Sequence, residues 1–208
     1  INIENHFDFY KEILYYQSKA GLEQYNNDLI KTLKIRNYSS INDFKDLSEK
    51  RSLVFATFHL GSYRLINHYL LNLGLKLVLI IDDTVFNKQA KDLKKLSEHF
   101  KNNNSDFIIL NVKDRESIFK LKNLLNNGYS LVVYLDGNSG LAKDKDFTKG
   151  HTHINFLNHS MYVKNGVQFI SKITKAIFIP VVSYFEDDLN QIDFYEPVDF
   201  EFDESSKT

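Results

Sequence analysis

Short apolar runs alternate with segments of helical period across most of this 208-residue chain, and no other feature restricts its fold as much. Leu53-Val54-Phe55-Ala56-Thr57-Phe58, Leu75 to Ile81, Phe107 to Leu110, Ser130 to Leu135 and Ala176 to Tyr184 each read as a buried strand. Between them apolar residues recur at steps of three and four. Leu65, Ile66, Tyr69, Leu70 and Leu73 form one such series, and Leu93, Leu96 and Phe100 another. Gly74 and Asn127-Gly128 sit where two of these helices must stop. Strands alternating with helices imply right-handed crossovers and a mostly parallel sheet flanked by helices.

The flanking regions complete the outline. Residues 3 to about 34 read as one or two helices, with Gly21 as a break, and 39 to 50 as a short capped helix. Residues 161 to 174 read as a helix, and Gln191 to Tyr195 as a sixth strand. The expected organisation is an N-terminal helical segment, 1–50, packed on an α/β domain, 51–208, as one structural unit. Asp136 to His153 is long and polar, a length often reserved for function. The chain begins at Ile1, so a signal or anchor upstream is an expectation.

Composition removes several function classes. There is no cysteine, which excludes disulfides, thiolate-bound zinc and a cysteine nucleophile. Lys and Arg number 26 against 27 Asp and Glu, so no global positive field draws in nucleic acid. No apolar stretch reaches the roughly 20 residues of a membrane span. The 17 Phe and 12 Tyr supply rings for a core, and ring surface for an apolar ligand.

Ligands of open α/β sheets gather beyond the carboxyl ends of the strands. Two loops qualify: Phe58-His59-Leu60-Gly61-Ser62-Tyr63-Arg64 and Tyr134-Leu135-Asp136-Gly137-Asn138-Ser139-Gly140. His59 stands at a strand end and suits a general base, an oxyanion donor or a metal ligand, with a capping or buried histidine as the structural alternative. A carboxylate before glycine, as at Asp136, often only makes a turn. His151, His153 and His159 invite a metal, but no carboxylate or cysteine completes a set, so none is expected. Asp82-Asp83 could bind a cation or an acceptor amine, and more often such a pair is the polar start of a loop. Lys88, Lys91, Lys94, Lys95 and Lys101 form a basic helix face, solvated or able to dock an acidic partner.

The first loop resembles the His-Phe-Gly-Asn-Trp-Glu block of bacterial lipid A biosynthesis acyltransferases, the lauroyl and myristoyl branch of the lysophospholipid acyltransferase superfamily. Tyr134-Leu135-Asp136-Gly137 is similar to that branch's Asp-Gln segment, and Ile179-Pro180-Val181-Val182 to its closing strand. The resemblance spans roughly residues 50 to 195 and rests on the order of the blocks. It implies a glycerolipid acyltransferase-like fold and transfer of an acyl group from acyl carrier protein or acyl-CoA to a hydroxyl or amine. His59 would be the base, and no permanently bound cofactor or metal is needed. Gly61 would admit the thioester, and Ser62, Arg64, Gly137 and Asn138 would contact substrate. A cytoplasmic protein at the inner face of the membrane follows, with a peripheral membrane contact and no nucleic acid.

The chain departs from that family at one critical position. Five residues after the histidine, where the family has a carboxylate that holds the imidazole, stands Arg64. A guanidinium cannot accept the imidazole proton. Asp136 then orients His59 instead, or Arg64 clamps a substrate carboxylate or phosphate, or the protein is a silent scaffold for an acyl chain or carrier protein. Ser139 replaces the arginine that binds glycerol phosphate in the glycerolipid branch. Lys143, Lys145 and Lys149 follow in the loop, for solvent or for a phosphopantetheine. An unrelated α/β enzyme would lack a chain-length apolar groove near His59.

Overall fold

A computed structural model describes residues 3–26, 28–38, 41–48, 51–102, 104–136, 151–156, 158–164 and 166–199. The sequence's alternation becomes a seven-stranded sheet with helices on both faces. Its centre is β2 (Leu53–Thr57), buried at every residue. Such a strand must be apolar on both sides, because helices cover both faces of a parallel sheet. After β2 the chain runs through α4 (Arg64–Asn72), β3 (Lys76–Ile81), α5 (Asp83–Ser97), β4 (Asp106–Asn111), α6 (Ser117–Asn126) and β5 (Tyr129–Tyr134). β5 returns to lie between β2 and β3, parallel to both. That insertion sets the carboxyl ends of β2 and β5 side by side, with Thr57 opposite Tyr134.

On the other side of β2 lies β8 (Ile177–Glu186), also parallel. β9 (Leu189–Phe194) turns back antiparallel on β8. β1 (Lys34–Arg36) adds a parallel edge to β9. The sheet is therefore largely parallel, in the order β1-β9-β8-β2-β5-β3-β4. β1 lies within the segment read as helical. Its three residues alternate exposed and half-buried, too short a pattern to register as a strand. The rest of that segment forms α1 (Ile3–Glu23), α2 (Leu29–Thr32) and α3 (Ile41–Ser48).

Successive residues of β2 point to opposite faces and divide the core in two. Leu53 and Phe55 join Phe44, Leu65, Leu70 and Phe194 on one face, the side of α3 and α4. Val54 and Ala56 join Leu121, Leu125 and Ile170 on the other, the side of α6 and α7 (Gly166–Thr174). Rings knit the first face: Phe44 lies 5.3 Å from Phe55 and 5.2 Å from Phe194, both edge-on.

Two further expectations need correction. The helix read over 161–174 is strand in its first part. β6 (His151–Phe156) and β7 (His159–Lys164) form an antiparallel hairpin outside the main sheet, and only Gly166–Thr174 is helical. The Met161-Tyr162-Val163 run suits either state by pattern, and a partner strand decides it. Asp82-Asp83 is likewise no loop. Asp82 caps α5, accepting from the Thr84 amide at 2.9 Å, and that bond holds its carboxyl below the usual range.

Candidate functional site

The β2–α4 loop and the end of β5 meet through one carboxylate. Asp136 Oδ1 lies 2.7 Å from His59 Nδ1. The His59 backbone N–H also donates to Asp136, at 3.0 Å to Oδ2 and 3.2 Å to Oδ1. The Leu135 amide donates to the Thr57 carbonyl at 2.8 Å, which carries the β2–β5 ladder up to this point. A carboxylate accepts hydrogen bonds, so in the neutral imidazole Nδ1 carries the hydrogen and Nε2 the free lone pair. Both side chains stay about 40% exposed, His59 at 42% and Asp136 at 40%.

Rings fix the imidazole from two further sides. Tyr134 stacks on it at 4.5 Å between centroids, and Tyr63 meets it edge-on at 4.7 Å. Tyr134 accepts a hydrogen bond from Asn67 Nδ2 at 3.1 Å. Burial pushes its hydroxyl far above the ordinary phenol range, so it stays a neutral phenol. These two tyrosines were legible only as neighbours of the singled-out residues. Nothing in the sequence marks them as the walls of the imidazole.

Helix α1 closes the site from above. It leaves a groove of about 830 Å³ running from Phe9, Ile13 and Tyr16 past Tyr184 to His59 and Arg64. Tyr16 stacks on Phe185 of β8 at 4.9 Å, and Lys19 donates to the Asp188 carbonyl at 2.9 Å. The volume lies in the usual range for small-molecule sites, and the α1 side of the groove is ring-rich. Toward solvent the same helix also exposes Tyr10, Leu14 and Tyr15.

The loop residues expected to contact substrate divide by their partners. Ser62 is buried and donates to Glu23 Oε2 of α1 at 2.5 Å. Gly61 adopts φ +53°, and a Cβ there would come within 2.8 Å of the Tyr184 Cα and 2.9 Å of the Ser183 carbonyl oxygen. The constraint on Gly61 that the fold displays is thus the close approach of β8. Arg64 donates from Nη1 to Gln24 Oε1 and from Nη2 to Gln89 Oε1, the latter at 3.1 Å, and its guanidinium lies 5.7 Å from the Tyr63 ring centre. Glu23, Gln24 and Gln89 are distant in sequence from the motif, which carries no trace of them.

Gly137, Asn138, Lys143, Lys145 and Lys149 lie outside the described residues. So do the side chains of His151, His153 and His159, whose backbone belongs to the β6–β7 hairpin. Among the described residues no group of three or more His, Asp or Glu is placed to hold a metal ion. One further histidine is close by. His68 of α4 is buried and stacked on Phe100 at 3.8 Å. Burial first, and then the nearby Arg64 cation, push its pKa down to about 3.

The assembled geometry is an imidazole in one tautomer, backed by a carboxylate, facing an apolar groove with a guanidinium in its wall. No protein-family model matches the chain. No curated protein matches it either.

Proposed function

We propose that the protein is an acyltransferase, with His59 as general base and Asp136 as the residue that positions it. The observation carrying this reading is the His59 Nδ1–Asp136 contact of 2.7 Å at the end of an apolar groove. The hydroxyl or amine of an acceptor gives its proton to Nε2. The freed nucleophile attacks the thioester carbonyl, and a new C–O or C–N bond forms. The C–S bond breaks, and the thiolate leaves with the proton that the imidazolium returns. Base and positioning group follow the logic of a hydrolytic triad, with the acceptor in place of the serine. The carboxylate comes from the turn after β5, while the position five residues after the histidine is Arg64. The resemblance to lipid A biosynthesis acyltransferases belongs to this proposal and rests on the motif order.

The groove along α1 would hold the acyl chain. Acyl carrier protein or acyl-CoA would supply it, with the exposed lysines of α5 facing an acidic donor. The rings of α1 would give a peripheral contact with a membrane, on its cytoplasmic face. Among the described residues no helix is long and apolar enough to cross one. A catalytically silent scaffold for the same chain or carrier is the second reading, favoured by Arg64 in the carboxylate position.

The test is thiol release from a panel of acyl thioesters, on carrier protein and on coenzyme A, with pooled amine and alcohol acceptors. Product masses are read for the wild type and His59→Ala. Acceptor-dependent release that vanishes in the variant supports transfer. Thioester binding without release supports the scaffold. Release that His59→Ala leaves untouched removes His59 from the mechanism.

A further inference from the structure

Arg64 is the one Lys or Arg in the groove wall, which also holds the Glu12 carboxylate, and its hydrogen-bond partners among the described residues are neutral. Its Nη1 and Nη2 each donate to a glutamine oxygen, on Gln24 of α1 and Gln89 of α5. Gln24 is itself held, donating from Nε2 to the Gly21 carbonyl at 2.6 Å. Two amides therefore fix the guanidinium plane without neutralising it. A guanidinium has five N–H donors, and three of these make no hydrogen bond to a described residue. A planar fork of this kind matches a carboxylate with two parallel hydrogen bonds.

The position of the fork limits what it reads. His59 and Arg64 both lie against Tyr63, with the imidazole centre 4.7 Å and the guanidinium carbon 5.7 Å from the ring centre. The imidazole and the guanidinium are thus at most about 10 Å apart. A hydrogen bond at each end takes up roughly 3 to 4 Å. What remains spans only a few covalent bonds between a nucleophile at His59 and an anion at Arg64.

Resting on the acyl-transfer reading, we infer that the acceptor is a small amine or alcohol bearing its own carboxylate, which Arg64 holds while His59 takes the proton from the nucleophile. The product is an N-acyl or O-acyl carboxylic acid, formed as the thioester C–S bond breaks and the free thiol leaves. Its chain lies along α1 and its carboxylate on Arg64. The position where the resembled family has an orienting carboxylate then serves acceptor selection, and Asp136 has taken over the orienting.

The experiment measures product-like ligands, so it does not depend on turnover. Isothermal titration compares N-octanoylglycine, N-octanoylglycinamide and N-octanoyl-O-phosphoethanolamine against the wild type, Arg64→Gln and Gln89→Ala. The acid should bind at least about tenfold more tightly than the amide, the ordinary margin of a charge-assisted pair. Arg64→Gln should erase that margin and leave amide affinity in place. Gln89→Ala keeps the charge and frees the fork, so the margin should shrink without vanishing. Equal affinities for acid and amide in the wild type overturn the inference without any need for a variant to fold. So does a margin that survives Arg64→Gln, and so does failure of all three probes to bind. Tighter binding of the phosphate probe than of the acid replaces the carboxylate with a phosphate. A retained acid margin without acyl transfer by any acceptor would leave the Arg64 site standing and remove the proposed reaction. Transfer indifferent to the acceptor's carboxylate would do the reverse.

Discussion

His59 and His68 belong to one stretch of chain, the loop after β2 and the helix that follows, and their surroundings are opposite. His59 is 42% exposed, hydrogen-bonded to a carboxylate and walled by two tyrosines. His68 is 4% exposed and packed flat on Phe100, with neither ring nitrogen in a well-formed hydrogen bond. Under the proposed reaction the first would take a proton from a molecule in the groove and pass it on. The second is held neutral by burial and acts as an aromatic plate in the core. Residue type is the same in both. What separates them is whether a carboxylate and open space reach the ring, the first from the turn after β5 and the second from the groove beneath α1, both far away in sequence.

The sharpest way to break this contrast is His59→Ala. Acceptor-dependent transfer should fall by about 10³-fold, within the ordinary range for a lost general base. Stability should barely move, because the ring is half-exposed and the backbone N–H keeps its bond to Asp136. Paired measurements of thiol release and a urea melt check it. A large loss of stability would make His59 a structural residue like His68.

Gly61→Ala attacks the loop that presents His59. The residue would have to hold φ +53° with its Cβ pressed on the backbone of β8. The expected cost is about 3 kcal/mol, from left-handed strain and from the displacement of packed backbone. A urea melt unchanged from wild type would show that the loop yields at no cost, and that the imidazole is less firmly placed than its contacts imply.

Asp136→Asn separates orientation from presence. The amide can still accept from the His59 backbone, but it no longer holds the Nδ1 hydrogen with a full charge. Turnover should drop about 10²-fold with donor KM little changed, the pattern of a group acting through the base. Restoration by Asp136→Glu to part of the wild-type rate would support the positioning role. A rise in KM at constant kcat would make Asp136 a substrate contact.

The sheet and its flanking helices were legible because their signals are local. β2 and β3 are apolar runs, and α4 shows its period within a few turns. His59 and Asp136 could each be singled out for standing at a strand end. Their contact was only one of several readings, because it depends on β5 inserting beside β2, which no local pattern specifies. The partners of Arg64 and Ser62 come from α1 and α5, and no spacing rule links them to the loop. β1 and the β6–β7 hairpin escaped for a related reason: short strands are defined by the neighbour they pair with.

His68 gives the smallest expected effect and tests the buried half of the contrast by acid. Its pKa is about 3 in the folded protein and 6.5 in the unfolded chain. Above pH 6.5 both states hold it neutral, and it contributes no pH dependence. As the pH falls from 6.5 toward 3 the unfolded chain takes up a proton that the folded protein refuses. Folding then weakens by about 1.4 kcal/mol per pH unit. His68→Leu removes that proton uptake while keeping an apolar side chain against Phe100. At pH 7.5 the variant should match the wild type to within about 1 kcal/mol, the lost stacking being offset by relief of a poorly bonded polar ring. At pH 5 it should gain about 2 kcal/mol on the wild type. Urea melts at the two pH values read the difference directly, since the carboxylates titrate alike in both proteins. Parallel losses on acidification would mean that His68 gains its proton without unfolding, and that the helix α4 opens to water more readily than its packing implies.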